Sequence, residues 1–188
     1  MRKRAPKAPE VIFTIGHSTR SREELIGLMR EYGITRLVDV RTVPRSRYNP
    51  QFNREELSAA LPAGGIMYLH MPGLGGLRKT APDSINLAWD NACFRGYADY
   101  MQTAEFAENL QALIEQAGRG KTAVMCAEAV PWRCHRSLIA DALLVRNIAV
   151  EHILSAGSHR LHSLTPLGEG GGEQDYLSGP QTARRLEN

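Results

Sequence analysis

Apolar residues recur along this chain in two alternating rhythms. Short runs rich in Val, Ile and Leu read as buried strands, and between them apolar residues three and four apart read as one face of a helix. Val11–Ile15 is the first run, closed by Gly16. Ser21 then caps a helix, with Glu24 completing a capping box. Leu25, Leu28, Met29 and Tyr32 follow at helical spacing, and Gly33 is the stop. Thr35–Val40 is the second strand, Asn53 with Glu56 opens a short helix to about Leu61, and Ile66–Leu69 is the third strand. Ala92–Met101 and Ala104–Ala117 are helical, the second placing Phe106, Leu110, Leu113, Ile114 and Ala117 on one face. Thr122–Cys126 is the fourth strand, Arg133–Arg146 a helix with Leu138, Ile139, Ala142 and Leu143 inward, and Ala149–Leu154 the fifth strand.

Strands separated by amphipathic helices predict a three-layer α/β/α, Rossmann-like domain with a mostly parallel sheet of about five strands, covered on both faces. That domain spans residues 10–167, between a basic flexible tail at 1–9 and a Gly-rich flexible tail at 168–188. Met71–Asn91 is a Gly- and Pro-rich connection of about twenty residues, a length usually tied to function or disorder. No apolar run reaches the roughly 18 residues that span a bilayer. The first residues are basic rather than signal-like, so the expectation is a cytoplasmic protein with no membrane partner.

Net charge refines this picture little. The chain carries +3, of which Arg2, Lys3, Arg4 and Lys7 contribute four, leaving the remainder at 3 − 4 = −1. The exception is Arg36, Arg41, Arg45, Arg47 and Arg54 against Asp39 alone. With Tyr48 and Phe52 interleaved, that stretch suits phosphate contact and base stacking, although a solvated loop face has the same composition. Three scattered cysteines form no disulfide framework and suggest reduced thiols.

In a parallel sheet all strand ends of one sense lie on one edge, where ligands bind at the reversal of strand order. Gly16, His17 and Ser18 follow the first strand, Asp39 and Arg41 end the second, and His70 ends the third. Cys126 and Glu128 end the fourth, and His152, Ser155, Ser158 and His159 belong to the fifth. These polar residues are expected to converge. Pro131 and Trp132 lead into a helix, so Cys134 is expected in its first turn, where the helix dipole, Arg133, Arg136 and His135 favour a thiolate. The same environment suits a phosphate or carboxylate; equally, buried cysteines are commonly inert core atoms. Asp39 and Arg41 read either as an anion-binding pair or as a structural pair joining loops. Tyr97, Asp99 and Tyr100 read as packing residues, with Asp99 on a tyrosine hydroxyl.

Cys126, Cys134 and His135, with His17 or His70, offer metal-ligand types without a zinc spacing. Gly73–Arg78 lacks both the P-loop ending and the dinucleotide spacing, so no standard nucleotide motif and no cofactor is indicated.

Taken together, Thr14-Ile-Gly-His-Ser18, Val38-Asp-Val-Arg41 with Pro44 and Ser46, Tyr68-x-His70, Leu74-Gly-Gly76 with Arg78, Gly96-Tyr-Ala-Asp-Tyr100 and Cys126-Ala-Glu128…Pro131…Cys134-His-Arg136 resemble the family called domain of unknown function 488. The resemblance covers about residues 11–160. It implies a Rossmann-like fold, carries no activity, and adds weight to Gly16, His17, Ser18, Asp39, Arg41, His70, Cys126, Glu128, Cys134, His135 and Arg136 as one site. A fainter likeness is to rhodanese-type domains, in Asp39-x-Arg41 and the strand-end Cys126; there the anion cradle follows the cysteine directly, whereas here Glu128 stands in it.

Three functional readings follow. The first is an enzyme, possible as a transferase, hydrolase or redox protein, acting on a small anionic or nucleotide-like substrate. In it Cys126 or Cys134 is nucleophile or redox centre, Glu128 or His17 handles protons, and Arg41 and Arg136 bind the anion. The two cysteines can also pair reversibly. The second is a nucleic-acid or nucleotide-binding domain without thiol chemistry, and the third a metal-dependent hydrolase.

Overall fold

The computed structural model describes residues 9–166 and residue 177; the tails expected at 1–9 and 168–188 lie outside these residues apart from Pro9 and Leu177. In chain order the elements are β1 (Val11–Gly16), α1 (Arg22–Glu31), β2 (Arg36–Asp39), α2 (Arg54–Ala63), β3 (Met67–His70), α3 (Ala92–Met101), α4 (Ala104–Ala117), β4 (Thr122–Cys126), α5 (Arg136–Leu144), β5 (Ala149–Ser155) and β6 (Ser158–Leu161). The sheet order is β3-β2-β4-β1-β5-β6. All neighbours are parallel except β5 and β6.

Successive strand residues face opposite sides, and here the two sides build two cores. Phe13, Ile15, Leu37 and Met125 pack with Leu25, Leu28, Met29, Leu57 and Leu61 of α1 and α2. Ile12, Val38, Val124 and Val150 pack with apolar residues of α3, α4 and α5. Each fully buried Leu or Ile side chain contributes about 1.5–3 kcal/mol relative to exposure. The result is the expected three-layer α/β domain.

Local signals explain most boundaries. Ser21 and Glu24 form the complete capping box of α1, and Asn91 and Thr103 cap α3 and α4. Three expectations shift. Asn53 precedes α2, but its Oδ1 accepts from the Ser46 N–H at 2.7 Å instead of capping the helix. Pro131 opens a separate 3-10 turn (Pro131–Arg133), which delays α5 to Arg136. Cys134 therefore stands in extended backbone just ahead of α5, not in its first turn. A sixth strand, β6, folds back antiparallel on β5. No helix of the described residues is long and apolar enough to cross a membrane.

Candidate active site

β1 and β4 lie side by side with Gly16 opposite Cys126. The chain leaves β1 towards β2 and leaves β4 towards β5, in opposite directions along the sheet, so their loops part at the reversal of strand order. Two backbone hydrogen bonds join those loops first: the His17 N–H to the Cys126 carbonyl (3.0 Å) and the Ser18 N–H to the Ala127 carbonyl (2.9 Å). The approach is so close that a Cβ on Gly16 would sit 1.8 Å from the Glu128 carbonyl oxygen.

Beside this ridge, Arg41 is held by a set of partners. Asp39, fully buried, accepts from Arg41 Nε at 2.9 Å and Nη2 at 2.6 Å. Tyr68 OH donates to the same carboxylate at 2.7 Å. Arg41 Nη2 also reaches the Phe52 carbonyl, and Nη1 donates to His17 Nε2 at 3.2 Å. His70 Nε2 donates to the Arg41 carbonyl at 2.8 Å. His17 stacks on Phe52 and gives its Nδ1 hydrogen to the Ser18 carbonyl. Burial, reinforced by Arg41, lowers the His17 pKa to about 4, so the ring is neutral at pH 7 with both nitrogens engaged. Of the five guanidinium N–H groups, one on Arg41 Nη1 is unused among the described residues.

On the other side of the ridge, Cys126 Sγ and Cys134 Sγ are 2.8 Å apart. His135 Nδ1 lies 3.4 Å from Cys134 Sγ, and Gly76 leaves room for that ring, since a Cβ there would come within 2.4 Å of Nδ1. Two close thiols share protons as a pair. A hydrogen bond from Cys126, then His135 and the charge of Arg136, push the Cys134 thiol well below the ordinary range. Burial and the proton held towards Cys134 push Cys126 up. Arg136 is 1% exposed, donates to the Glu128 and Ala129 carbonyls, and pairs with no carboxylate among the described residues. A buried cation without a carboxylate favours a nearby anion, and its charge is one of the causes that lower the Cys134 thiol.

Both cysteines line a cavity of about 400 Å³, with Arg41, Glu128, Arg133 and His135 among its polar walls and Val43, Leu77, Phe94 and Ala127 among its apolar ones. A second cavity of about 430 Å³ lies on the His17 side, lined by Ser18, Arg45, Ser46 and Asn49. Arg41, Val43, Ala127 and Glu128 belong to both walls.

A family model described as a domain of unknown function, DUF488, matches residues 21–143. The chain belongs to this family. No curated protein matches, and no solved structure does; the rhodanese likeness gains no support. The DUF488 match contains Asp39, Arg41, His70, Cys126, Glu128, Cys134, His135 and Arg136, while Gly16, His17 and Ser18 precede it.

Within this DUF488 chain the residues expected at one edge divide. Cys126, Cys134, His135, Glu128 and Arg41 face the thiol cavity; His17 and Ser18 face its neighbour. Asp39, His70 and Arg136 stand behind the walls, holding Arg41 and the loop after β4. His152 takes another direction: Thr14, His152, His162 and Asp141 form a buried hydrogen-bonded chain against α5. Ser155, Ser158 and His159 lie on the β5–β6 hairpin, beyond β1 from the thiols. The basic stretch also divides, for Arg36 is buried on Gln116 and Phe52 is fully buried. Asp99 accepts from Ala81, Ser84 and Asn86 rather than from a tyrosine, fixing the long loop on α3. Tyr97 and Tyr100 donate to the carbonyls of Leu74 and Gly73. Among the described residues no three His, Cys, Asp or Glu side chains are placed to hold a metal. Sequence reasoning passed over Cys93, which lines the thiol cavity from the first turn of α3. Its signal was Asn91, a capping residue two positions earlier.

Proposed function

We propose that this DUF488 protein is a cysteine-dependent enzyme, with the Cys134 thiolate as nucleophile towards a small substrate bound in the thiol cavity. The observation that carries this reading is the pair of sulfurs 2.8 Å apart on a cavity wall, with an imidazole 3.4 Å from one of them. Thiolate is the nucleophilic form, and cationic or hydrogen-bonding neighbours favour it. His135 stabilises the thiolate and stands where a leaving group receives a proton. Glu128 is exposed on the boundary of both cavities, in place to exchange a proton with the substrate. An anionic end meets Arg133 and the unused Arg41 N–H, while apolar walls take the body. The adjoining polar cavity gives a nucleotide-like substrate room for its far end. His17, with both nitrogens engaged, and Arg136, turned to backbone carbonyls, act as positioning residues.

Alkylation with iodoacetamide tests this in a Cys93→Ser background, which removes the exposed thiol. Cys134 is expected to react at pH 7 about tenfold or more faster than free cysteine, whose pKa is near 8.5, and Cys134→Ser is expected to abolish that phase. Reaction of neither buried thiol faster than free cysteine would overturn the proposal.

A further inference from the structure

The geometry points to Cys126 as a resolving thiol: the enzyme reduces small organic disulfides, taking the substrate sulfur onto Cys134 and discharging it by closing a Cys126–Cys134 disulfide. This rests on the nucleophile proposed above and adds a partner, a reaction class and a substrate class.

A nucleophile in hydrolysis or acyl transfer needs water or an acceptor beside the adduct. Here the group beside Cys134 Sγ is another sulfur, at 2.8 Å. An S–S bond is about 2.05 Å long, so closure requires an approach of about 0.8 Å. Both side chains sit on short loop or strand-end backbone at the reversal of strand order, Cys126 ending β4 and Cys134 between the 3-10 turn and α5. Both cysteines are buried and both belong to the wall of the same cavity, so the two sulfurs can act in turn on one bound substrate. The walls of Val43, Leu77 and Phe94 suit an organic substituent on sulfur rather than a bare peroxide.

The steps balance without a further oxidant. The Cys134 thiolate attacks one sulfur of R–S–S–R; that bond breaks, one RS⁻ departs with the electron pair, and a Cys134–S–S–R mixed disulfide remains. Cys126 gives its proton to the departing thiolate and its sulfur attacks Cys134 Sγ. The bond to substrate sulfur breaks, a second RS⁻ leaves, and the protein holds a disulfide. The substrate gains two electrons and the dithiol loses two. An external dithiol reductant restores the thiols for the next turnover.

The experiment uses reduced Cys93→Ser protein and one equivalent of 5,5′-dithiobis(2-nitrobenzoic acid), an aryl disulfide with carboxylates. The expected result is release of both aryl thiolates per protein, a protein mass lower by two hydrogens, and recovery of both thiols with dithiothreitol. Cys126→Ser is expected to halve the release and retain the aryl adduct on Cys134. Rates relative to free cysteine are expected to be higher for this disulfide than for neutral hydroxyethyl disulfide. A stable aryl adduct on Cys134 with Cys126 present overturns the resolving role and leaves the nucleophile standing. Equal relative rates for the two disulfides overturn the preference for an anionic substituent at Arg41 and Arg133. Absence of any fast release overturns both the inference and the function beneath it. Circular dichroism confirms that each variant is folded, and the Cys93→Ser arm, with Cys126 and Cys134 both present, decides the question even where Cys126→Ser is not.

Discussion

At the scale of single residues, the reactivity of Cys134 depends on where its neighbours are held. His135 Nδ1 reaches the sulfur at 3.4 Å, and its Nε2 is buried with no partner among the described residues, so no hydrogen bond to these fixes the far side of the ring. What fixes it is shape: Tyr97 packs on the ring at 5.0 Å between centroids, and Gly76 leaves the space Nδ1 fills. Gly76→Ala would put a Cβ within 2.4 Å of that nitrogen, and the imidazole must swing from the sulfur. The expected outcome is a pH–rate profile of alkylation whose midpoint is displaced upward, with the rate falling about tenfold per pH unit below the displaced midpoint and an unchanged plateau at high pH. A merely structural defect would lower the plateau or the unfolding midpoint instead. Profiles of variant and parent that superimpose would refute the role given to His135.

At the scale of elements, the ridge between β1 and β4 is where backbone meets backbone. Gly16→Ala forces a Cβ to 1.8 Å from the Glu128 carbonyl oxygen, and main chain cannot rotate away as a side chain does. Overpacking of this kind costs about 1–3 kcal/mol or more, and the displaced segment carries Cys126 and Glu128. Gly27, inside α1, has open space around its missing Cβ, so Gly27→Ala is expected to stabilise by up to about 1 kcal/mol through helix propensity. Opposite displacements of the urea midpoint at constant slope are the expected pair of results; destabilisation by both variants would contradict the contrast. The elements themselves were largely legible because their signals are local. Ser21 with Glu24 caps α1, apolar spacing marks α4, and Gly16 closes β1. What stayed hidden depends on distant partners. Asn53 has the chemistry of a cap but finds the Ser46 N–H first. The four residues of β6 are all exposed, so no apolar run announced a strand that exists by pairing with β5. His152 looked like an edge residue until pairing brought Thr14 and His162 to it. Strand order could not be read either: the insertion of β4 between β1 and β2 sets which loops diverge, and so which strand-end residues meet and which are carried off on the hairpin.

At the scale of the whole molecule, two buried histidines couple stability to pH. Burial is the largest cause at both sites; it lowers His17 to about 4 and His152 to about 3. An unfolded histidine titrates near 6.5. Between roughly pH 6.5 and 4 the unfolded chain therefore binds protons that the folded chain refuses, and stability must rise with pH across that interval. Above about pH 7 both states hold the two rings neutral and their contribution is flat. At pH 5 each ring is expected to have removed about 2 kcal/mol of stability relative to pH 7, from about 1.4 kcal/mol per pH unit below 6.5. The mechanical meaning differs between the two. Protonating His17 places a cation against Arg41 Nη1, 3.2 Å away, and loosens the wall shared by both cavities. A second proton on His152 falls on Nδ1, which then no longer accepts from the Thr14 hydroxyl, and adds a buried charge to the chain through His162 to Asp141 that ties the segment after β6 to α5. Urea midpoints at pH 7 and pH 5 measure the sum, and His152→Gln is expected to remove about half of the difference while keeping an amide that can bond Thr14. A midpoint independent of pH over that range, in the parent protein, is the result incompatible with these two rings being buried neutral.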